Sequence, residues 1–344
     1  MVHGPTFDSF QPAYVAVLRH ITENYETETR TRAKHAREVR NTSFTIADPA
    51  ARTPYLAARR TNVVFNHAEA LWYLSGRDDV DMIGYYAPSL RELANDAGRL
   101  TGTAYGPRLF RRDGVDQRSQ FERVLALLRA DPDAKRGAMT VMRPDELVDP
   151  GNPDVACTLG LQFMQRGGRL HASAYMRGND AVLGLLCDTF SFTFIQEFAA
   201  RLLHLPLGDY AHHVGSMHVN VLDLPRVAAM LAEADEQGRP APGFPASPMP
   251  EGTSWDDIDL LTQWEEDLRV GRRRLSGDDA QSLPLPQYWR EVVVLFEVYR
   301  QLTHEPDQPV DPDTVALLRP AHRWLVEQRW PDRVMPCAPL GAAR

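Results

Sequence analysis

The segment VLGLLCDTFSFTFIQEFAARLL, residues 182–203, constrains the fold of this chain more than any other. Its apolar density predicts a buried helix over 181–203, with Asn179-Asp180 as the cap ahead of it. Asp188 sits inside this run. A carboxylate among apolar neighbours is costly unless it is paired or protonated. Something must compensate Asp188, and a ligand is one candidate.

The elements around this helix read from their own signals. Two strands precede it, VACTLGLQFMQ and RLHASAYMR, joined by Arg-Gly-Gly, a hairpin turn signal. Upstream, NVVFNHAEALWYLSG (62–76) has apolar positions at helical spacing and is stopped by Gly76. QFERVLALLRADPD predicts a second helix ended by Asp-Pro, and RGAMTVMR a strand. Residues 11–30 read as a helix, the basic stretch around 31–42 as a loop, and NTSFTI as a strand. DYAHHVGSMHVNVLDL reads as a short strand and turn leading into a helix. Residues 237–250 are Pro-rich, and PQYWREVVVLFEVYRQL is the clearest helix of the polar tail beyond them. No internal repeat is present, and 344 residues suit one large domain or two ordinary ones. The pattern divides into a core over 1–236 and, over 237–344, a Pro-rich segment and helical extension packed on the same domain.

Composition narrows the function classes. The net charge of -8 argues against a general nucleic-acid coat, though not against a local phosphate site built from a few arginines. Charged residues break the apolar stretches, so no membrane span is expected. The N-terminus lacks a basic-then-apolar signal pattern. Three dispersed cysteines, Cys157, Cys187 and Cys337, suit a reducing cytoplasm and no structural zinc, and no metal is expected.

Cys157 taken alone reads more often as a small buried hydrophobe than as a nucleophile. Its neighbourhood changes the balance. Arg177 ends the second strand of the hairpin, which brings it back towards Cys157. A guanidinium there lowers a thiol pKa and also binds phosphate.

Four stretches carry a family resemblance: CTLGLQ (157–162), AYMRGND (174–180), LGLLCD (183–188) and GSMHVN (215–220). In order and spacing they resemble the thymidylate synthases. That family's pattern runs nucleophilic Cys, Gln, Y-Q-R-S-x-D, L-G-L-P-F-N and G-D-x-H-x-Y. HAEALWYL (67–74) resembles the family's glutamate helix, TAYG (103–106) its Y-G turn, and DPDAKR (131–136) its paired basic residues. The resemblance covers roughly residues 20–225 and is loose beyond 226. It implies an α+β fold, a large mixed β-sheet with packed helices, dimerising through the sheet face. It also implies that Cys157 adds to C6 of a pyrimidine nucleotide, whose C5 then takes the one-carbon unit of 5,10-methylenetetrahydrofolate.

The resemblance assigns further residues. Glu69 would order water and relay protons. Arg32 and Arg177 would bind phosphate, with Lys135 and Arg136 supplied by the partner subunit of a homodimer. Gln162 and Gly178 would meet the substrate, and His218 and Asn220 the sugar. Asp180, Leu183, Gly184 and Leu90 would contact the folate, Asp180 doubling as a helix cap.

Departures from the pattern carry the specificity argument. Asp188 stands where the synthases have the Asn that reads uracil. A carboxylate accepts only, and repels O4 of uracil. With one proton shared between Asp188 and N3, it holds cytosine through two charge-assisted bonds. That proton also draws electrons from the ring and helps attack at C6. The same exchange marks the deoxycytidylate and cytidylate 5-hydroxymethylases, which the chain resembles more closely than the synthases. SLRELAND (89–96) has Leu90 and Leu93 where the synthases place Trp, consistent with water reaching the one-carbon unit in place of hydride. Lys135 replaces an Arg, Gly178 a Ser, Ser216 an Asp and Asn220 a Tyr. The space at Asn220 admits a 2′-hydroxyl, so CMP is expected over dCMP.

The expected activity is therefore CMP 5-hydroxymethylation, suited to nucleoside-antibiotic or modified-nucleotide biosynthesis. Deoxycytidylate hydroxymethylation and dUMP methylation are the alternatives within the family. Outside it stand a cysteine hydrolase using His212, His213 or His218, and a non-catalytic nucleotide-binding relative.

Overall fold

The computed structural model describes residues 4–31, 34–237 and 243–335. Arg32 and Cys337, and with them the expected phosphate contact of Arg32, lie outside the described residues.

Two helices and seven strands make the frame of the site. α1 (Phe10–Asn24) follows β1 (Thr6–Phe7) and leads into a hairpin of β2 (Thr27–Thr31) and β3 (Lys34–Ile46). The helix expected over 11–30 thus ends at Asn24, and the expected basic loop is strand. TETRT alternates β-branched and charged residues, a period of two that suits a sheet edge better than a helix. β4 (Ala138–Thr140), β5 (Thr158–Arg166) and β6 (Arg169–Asp180) continue the sheet. Gly167 and Gly168 turn the β5–β6 hairpin at φ of 55° and 72°, a region open to glycine. α6 (Gly184–Leu203) then crosses to β7 (Leu207–Asn220), which pairs parallel with β6 and antiparallel with β3. The order β1-β3-β7-β6-β5-β4, with β2 on β3, is a mixed sheet. β7 is a full strand of 14 residues where the sequence suggested a short one.

α6 begins at Gly184, later than expected, because β6 runs on to Asp180. Asp180 instead closes a turn, accepting from Val182 N at 2.8 Å and Leu183 N at 3.0 Å. From Thr189 to Ala200 every residue of α6 is buried.

α2 (Val63–Leu74) packs on α6 and is buried along nearly its whole length. α3 (Val80–Tyr86), α4 (Gly106–Leu109) and α5 (Gln120–Ala130) complete the first half. α7 (Leu224–Gln237) lies against α1. α8 (Trp255–Arg269), α9 (Gly277–Ser282), α10 (Gln287–His304), α11 (Pro312–Ala316) and α12 (Pro320–Arg329) follow. α8, α10 and α12 cover the far side of α2, and Trp289 of α10 meets Phe194 of α6 edge-on at 5.9 Å. The C-terminal segment therefore shares one apolar core with the sheet. On the opposite face of the sheet Tyr175 stacks on His213 at 5.1 Å and stays 39% exposed. None of the described helices is long and apolar enough to cross a membrane.

Candidate active site

β3, β6 and β7, the start of α6, and α2 enclose a cavity of about 850 Å³. That volume suits ligands of nucleotide and cofactor size. β3 and β7 send alternate residues into it, Glu38 from β3 and Ser216, His218 and Asn220 from β7, while the end of β6 lines it with the consecutive residues Arg177, Gly178, Asn179 and Asp180. α2 contributes Glu69 and, one turn on, Tyr73.

Cys157 immediately precedes β5 and is half-buried at the cavity wall. Arg177 holds this corner: its Nε donates to Ala156 O at 2.8 Å and its Nη2 to Val155 O at 3.0 Å, with Nη2 3.6 Å from Cys157 Sγ. Burial pushes the thiol pKa up, and the Arg177 guanidinium opposes this without overcoming it. The lowered thiol pKa expected from the sequence is thus corrected: the charge acts with the expected sign, but desolvation wins. Asp188, another negative neighbour, adds to the upward shift.

Two carboxyls face each other's field across the cavity. Asp188 keeps part of its surface open to the cavity while lying deep below the protein surface, and burial raises its pKa to about 7. Asn179 Nδ2 donates to Asp188 Oδ2 at 2.6 Å and pulls the other way. Glu69 is buried and accepts from Ser191 Oγ at 3.0 Å. Burial, and secondarily the charge of Asp188, raise its pKa to about 8. Such a pair stores a proton near neutral pH, where a general acid or base is useful.

The sugar side is built differently from the expectation. His218 lines the cavity, but Asn220 Nδ2 donates to Asp180 Oδ2 at 2.7 Å. Asn220 and Asp180, assigned to different ligands, are partners of one another. At Gly178 an added Cβ would meet only Ser216 O, at 3.7 Å, so the missing side chain leaves open space. Leu183 and Gly184, next to Asp180, line a more apolar side together with Leu90, Phe65 and Tyr86. This side is therefore not free of aromatic residues, which removes much of the weight placed on the absent Trp. Its apolar surface, with Asp180 at the edge, fits a flat heteroaromatic co-substrate.

Gln162 is not brought into this cavity. Its Nε2 donates to Lys135 O at 2.7 Å and its Oε1 accepts from Tyr175 OH at 3.1 Å. A direct substrate contact by Gln162 within this subunit is corrected to a strand-holding role, because β5 turns it to the open sheet face. Lys135 and Arg136 are exposed beside it and do not line the cavity of their own subunit. His212 is buried, bonds Tyr210 OH at 2.7 Å, and is held neutral by burial with a pKa of about 3; neither it nor His213 lines the cavity. Among the described residues no cluster of His, Cys, Asp and Glu could hold a metal ion.

Several lining residues escaped the sequence reading. Tyr73 was within reach, four positions from Glu69 on the same helix face. Tyr105 stacks on it at 5.1 Å. Arg59, Arg60, Arg226 and Arg329 form a cationic end of the cavity, and Arg226 Nη2 donates to Arg59 O. No local pattern joins residues so far apart in sequence.

A family profile described as thymidylate synthase matches residues 12–259. A deoxyuridylate hydroxymethyltransferase of Bacillus phage SP01 is 30% identical over 201 residues, 56% of this chain and 52% of the relative. The chain thus spans about half the length of that protein. A deoxyuridylate hydroxymethyltransferase of Pseudomonas phage M6 is 25% identical over 259 residues, 73% of this chain and 71% of the relative. A thymidylate synthase of Symbiobacterium thermophilum is 28% identical over 174 residues, 46% of this chain and 60% of the relative. Among solved structures, the thermostable thymidylate synthase A from Bacillus subtilis superposes with a TM-score of 0.55 at 20% identity, covering 65% of this chain and 84% of that one. That likeness speaks to the fold alone.

Proposed function

The chain belongs to the thymidylate synthase family, and from that premise we propose that it is a cytidylate 5-hydroxymethylase. It would convert CMP, 5,10-methylenetetrahydrofolate and water to 5-hydroxymethyl-CMP and tetrahydrofolate. The observation that carries this reading is Asp188, a buried carboxyl with a pKa of about 7, facing the same cavity as Cys157. At neutral pH such a group shares one proton with N3 of cytosine and accepts from the exocyclic amine.

Cys157 is the nucleophile for C6. Its thiol needs a proton acceptor as the ring binds, since burial keeps it protonated. Glu69, with a pKa of about 8, exchanges protons at the pyrimidine through ordered water. Arg177 clamps the loop ahead of Cys157 and turns the rest of its guanidinium to the phosphate. Arg32 joins it, and Lys135 and Arg136 reach the phosphate of the partner subunit in a homodimer formed through the open sheet face. The folate supplies the one-carbon unit, stacked on the wall of Leu90, Leu183 and Gly184, beside Asp180. Its acidic tail suits the arginine-lined end of the cavity. Water, not hydride, then completes the product, as the names of the phage relatives suggest. A cytoplasmic enzyme of nucleoside-antibiotic or modified-nucleotide biosynthesis fits a free hydroxymethyl nucleotide as product.

A second reading is deoxyuridylate hydroxymethylation, favoured by the names of those relatives. Protonated Asp188 has a donor for O4 and an acceptor for N3–H of uracil. Mass spectrometry of CMP, dCMP and dUMP after incubation with enzyme and methylenetetrahydrofolate separates the two. A gain of CH₂O on CMP supports the first reading. The same gain on dUMP alone supports the second, and a gain of CH₂ makes the enzyme a methylating synthase.

A further inference from the structure

Ser216 replaces an Asp of the family pattern, and in this fold it is bonded to a carboxylate on the neighbouring strand. Ser216 Oγ donates to Glu38 Oε2 across the β3–β7 ladder. Glu38 lines the same cavity and lies directly opposite His218 in the register of the two strands. Glu38 thus places a carboxylate on β3, bonded to Ser216 of the neighbouring β7. Asn220 lies one step further along β7 and already donates to Asp180. That bond occupies an amide donor of Asn220, and Glu38 adds a carboxylate acceptor to the sugar side.

We propose that Glu38 reads the 2′-hydroxyl of a ribonucleotide, with Ser216 aiming its carboxylate. This rests on the reading of the cavity as a pyrimidine nucleotide site with its sugar at His218. A carboxylate only accepts, and a sugar hydroxyl is the donor it fits. Side chains directly opposite on antiparallel strands sit about 5 Å apart at Cβ. That spacing lets His218 and Glu38 hold the two vicinal hydroxyls of one ribose, the 3′ by His218 and the 2′ by Glu38. An acidic residue on a ribose 2′-hydroxyl is a recurrent solution in nucleotide sites. One Glu38 oxygen is taken by Ser216, which fixes the rotamer and leaves the other for the ligand.

The test is titration calorimetry of CMP and of dCMP into the full chain without folate, for the wild type, Glu38→Gln and Ser216→Ala. The wild type should favour CMP. Glu38→Gln should weaken CMP about ten-fold, the worth of one hydrogen bond to a charged acceptor, and move dCMP by less than about three-fold. Ser216→Ala should shift the ratio the same way by a smaller factor, and it carries the test should Glu38→Gln not fold. Retained dCMP affinity reports an intact site. An unchanged CMP to dCMP ratio, or an equal loss for both ligands, overturns the assignment of Glu38 alone. Failure of the wild type to bind CMP at all removes the underlying nucleotide reading and this assignment with it.

Discussion

Asp188 ties the stability of the fold to pH. Its pKa is raised from the ordinary carboxylate range to about 7, so the folded chain holds a proton that the unfolded chain has released by pH 5. The sign follows from linkage. The native state binds more protons than the unfolded state between these values, so stability is fullest below the unfolded pKa and is lost as pH rises through about 7. Asp188→Asn should therefore gain in melting temperature relative to wild type at pH 8 by a few degrees, and show little gain at pH 4. Melting curves at the two pH values check this. Asn179 is the second lever, because its 2.6 Å bond favours the charged carboxylate. Asn179→Ala should move the high-pH limb of kcat/KM for CMP upward by roughly one pH unit, one such bond to a charge being worth at least that. An unmoved limb would show that Asp188 is not the group that titrates. Asp188 was legible in the sequence because a charge in an apolar run demands a partner. Asn179 was not, because its side chain was assigned to a helix cap. Only the longer course of β6 turns it towards Asp188.

At the scale of elements, the hairpin and α6 were plain in the pattern, since the Gly-Gly turn and the apolar run are local signals. The β2–β3 hairpin was not, because Thr alternating with charge on a largely exposed strand mimics a polar helix. The position of Cys157 depends on a less visible link. Glu146, in the short helical turn Pro144–Leu147, accepts from Ala156 N at 2.7 Å and pairs with buried Arg108 at 2.6 Å. It ties the residue before Cys157 to α4. Glu146→Ala strands Arg108 and frees the loop, so urea unfolding should show a loss of about 3 kcal/mol or more. A change below about 1 kcal/mol would place the loop's anchor elsewhere, with Arg177 the next candidate.

Across the whole molecule the C-terminal helices do structural work that no motif announced. α10 buries Trp289 against Phe194 of α6, and α12 brings Arg329 to the cavity. Contacts of this kind join residues far apart in sequence, and local periodicity carries no record of them. Trp289→Ala should cost about 3–5 kcal/mol in chemical unfolding, as expected for a large aromatic in a shared core. A loss below about 1 kcal/mol would mean that the extension packs as a separate unit. The proposed reaction requires Asp188 to read the base while Cys157 bonds to the ring. The most direct measurement is a competition. Equimolar CMP and dUMP are given with methylenetetrahydrofolate to wild type and to Asp188→Asn, and the hydroxymethylated products are counted by mass spectrometry. Wild type should convert mainly CMP, and Asp188→Asn should shift the ratio towards dUMP by about a hundred-fold, the worth of two charge-assisted hydrogen bonds. The same product ratio from both proteins would contradict it.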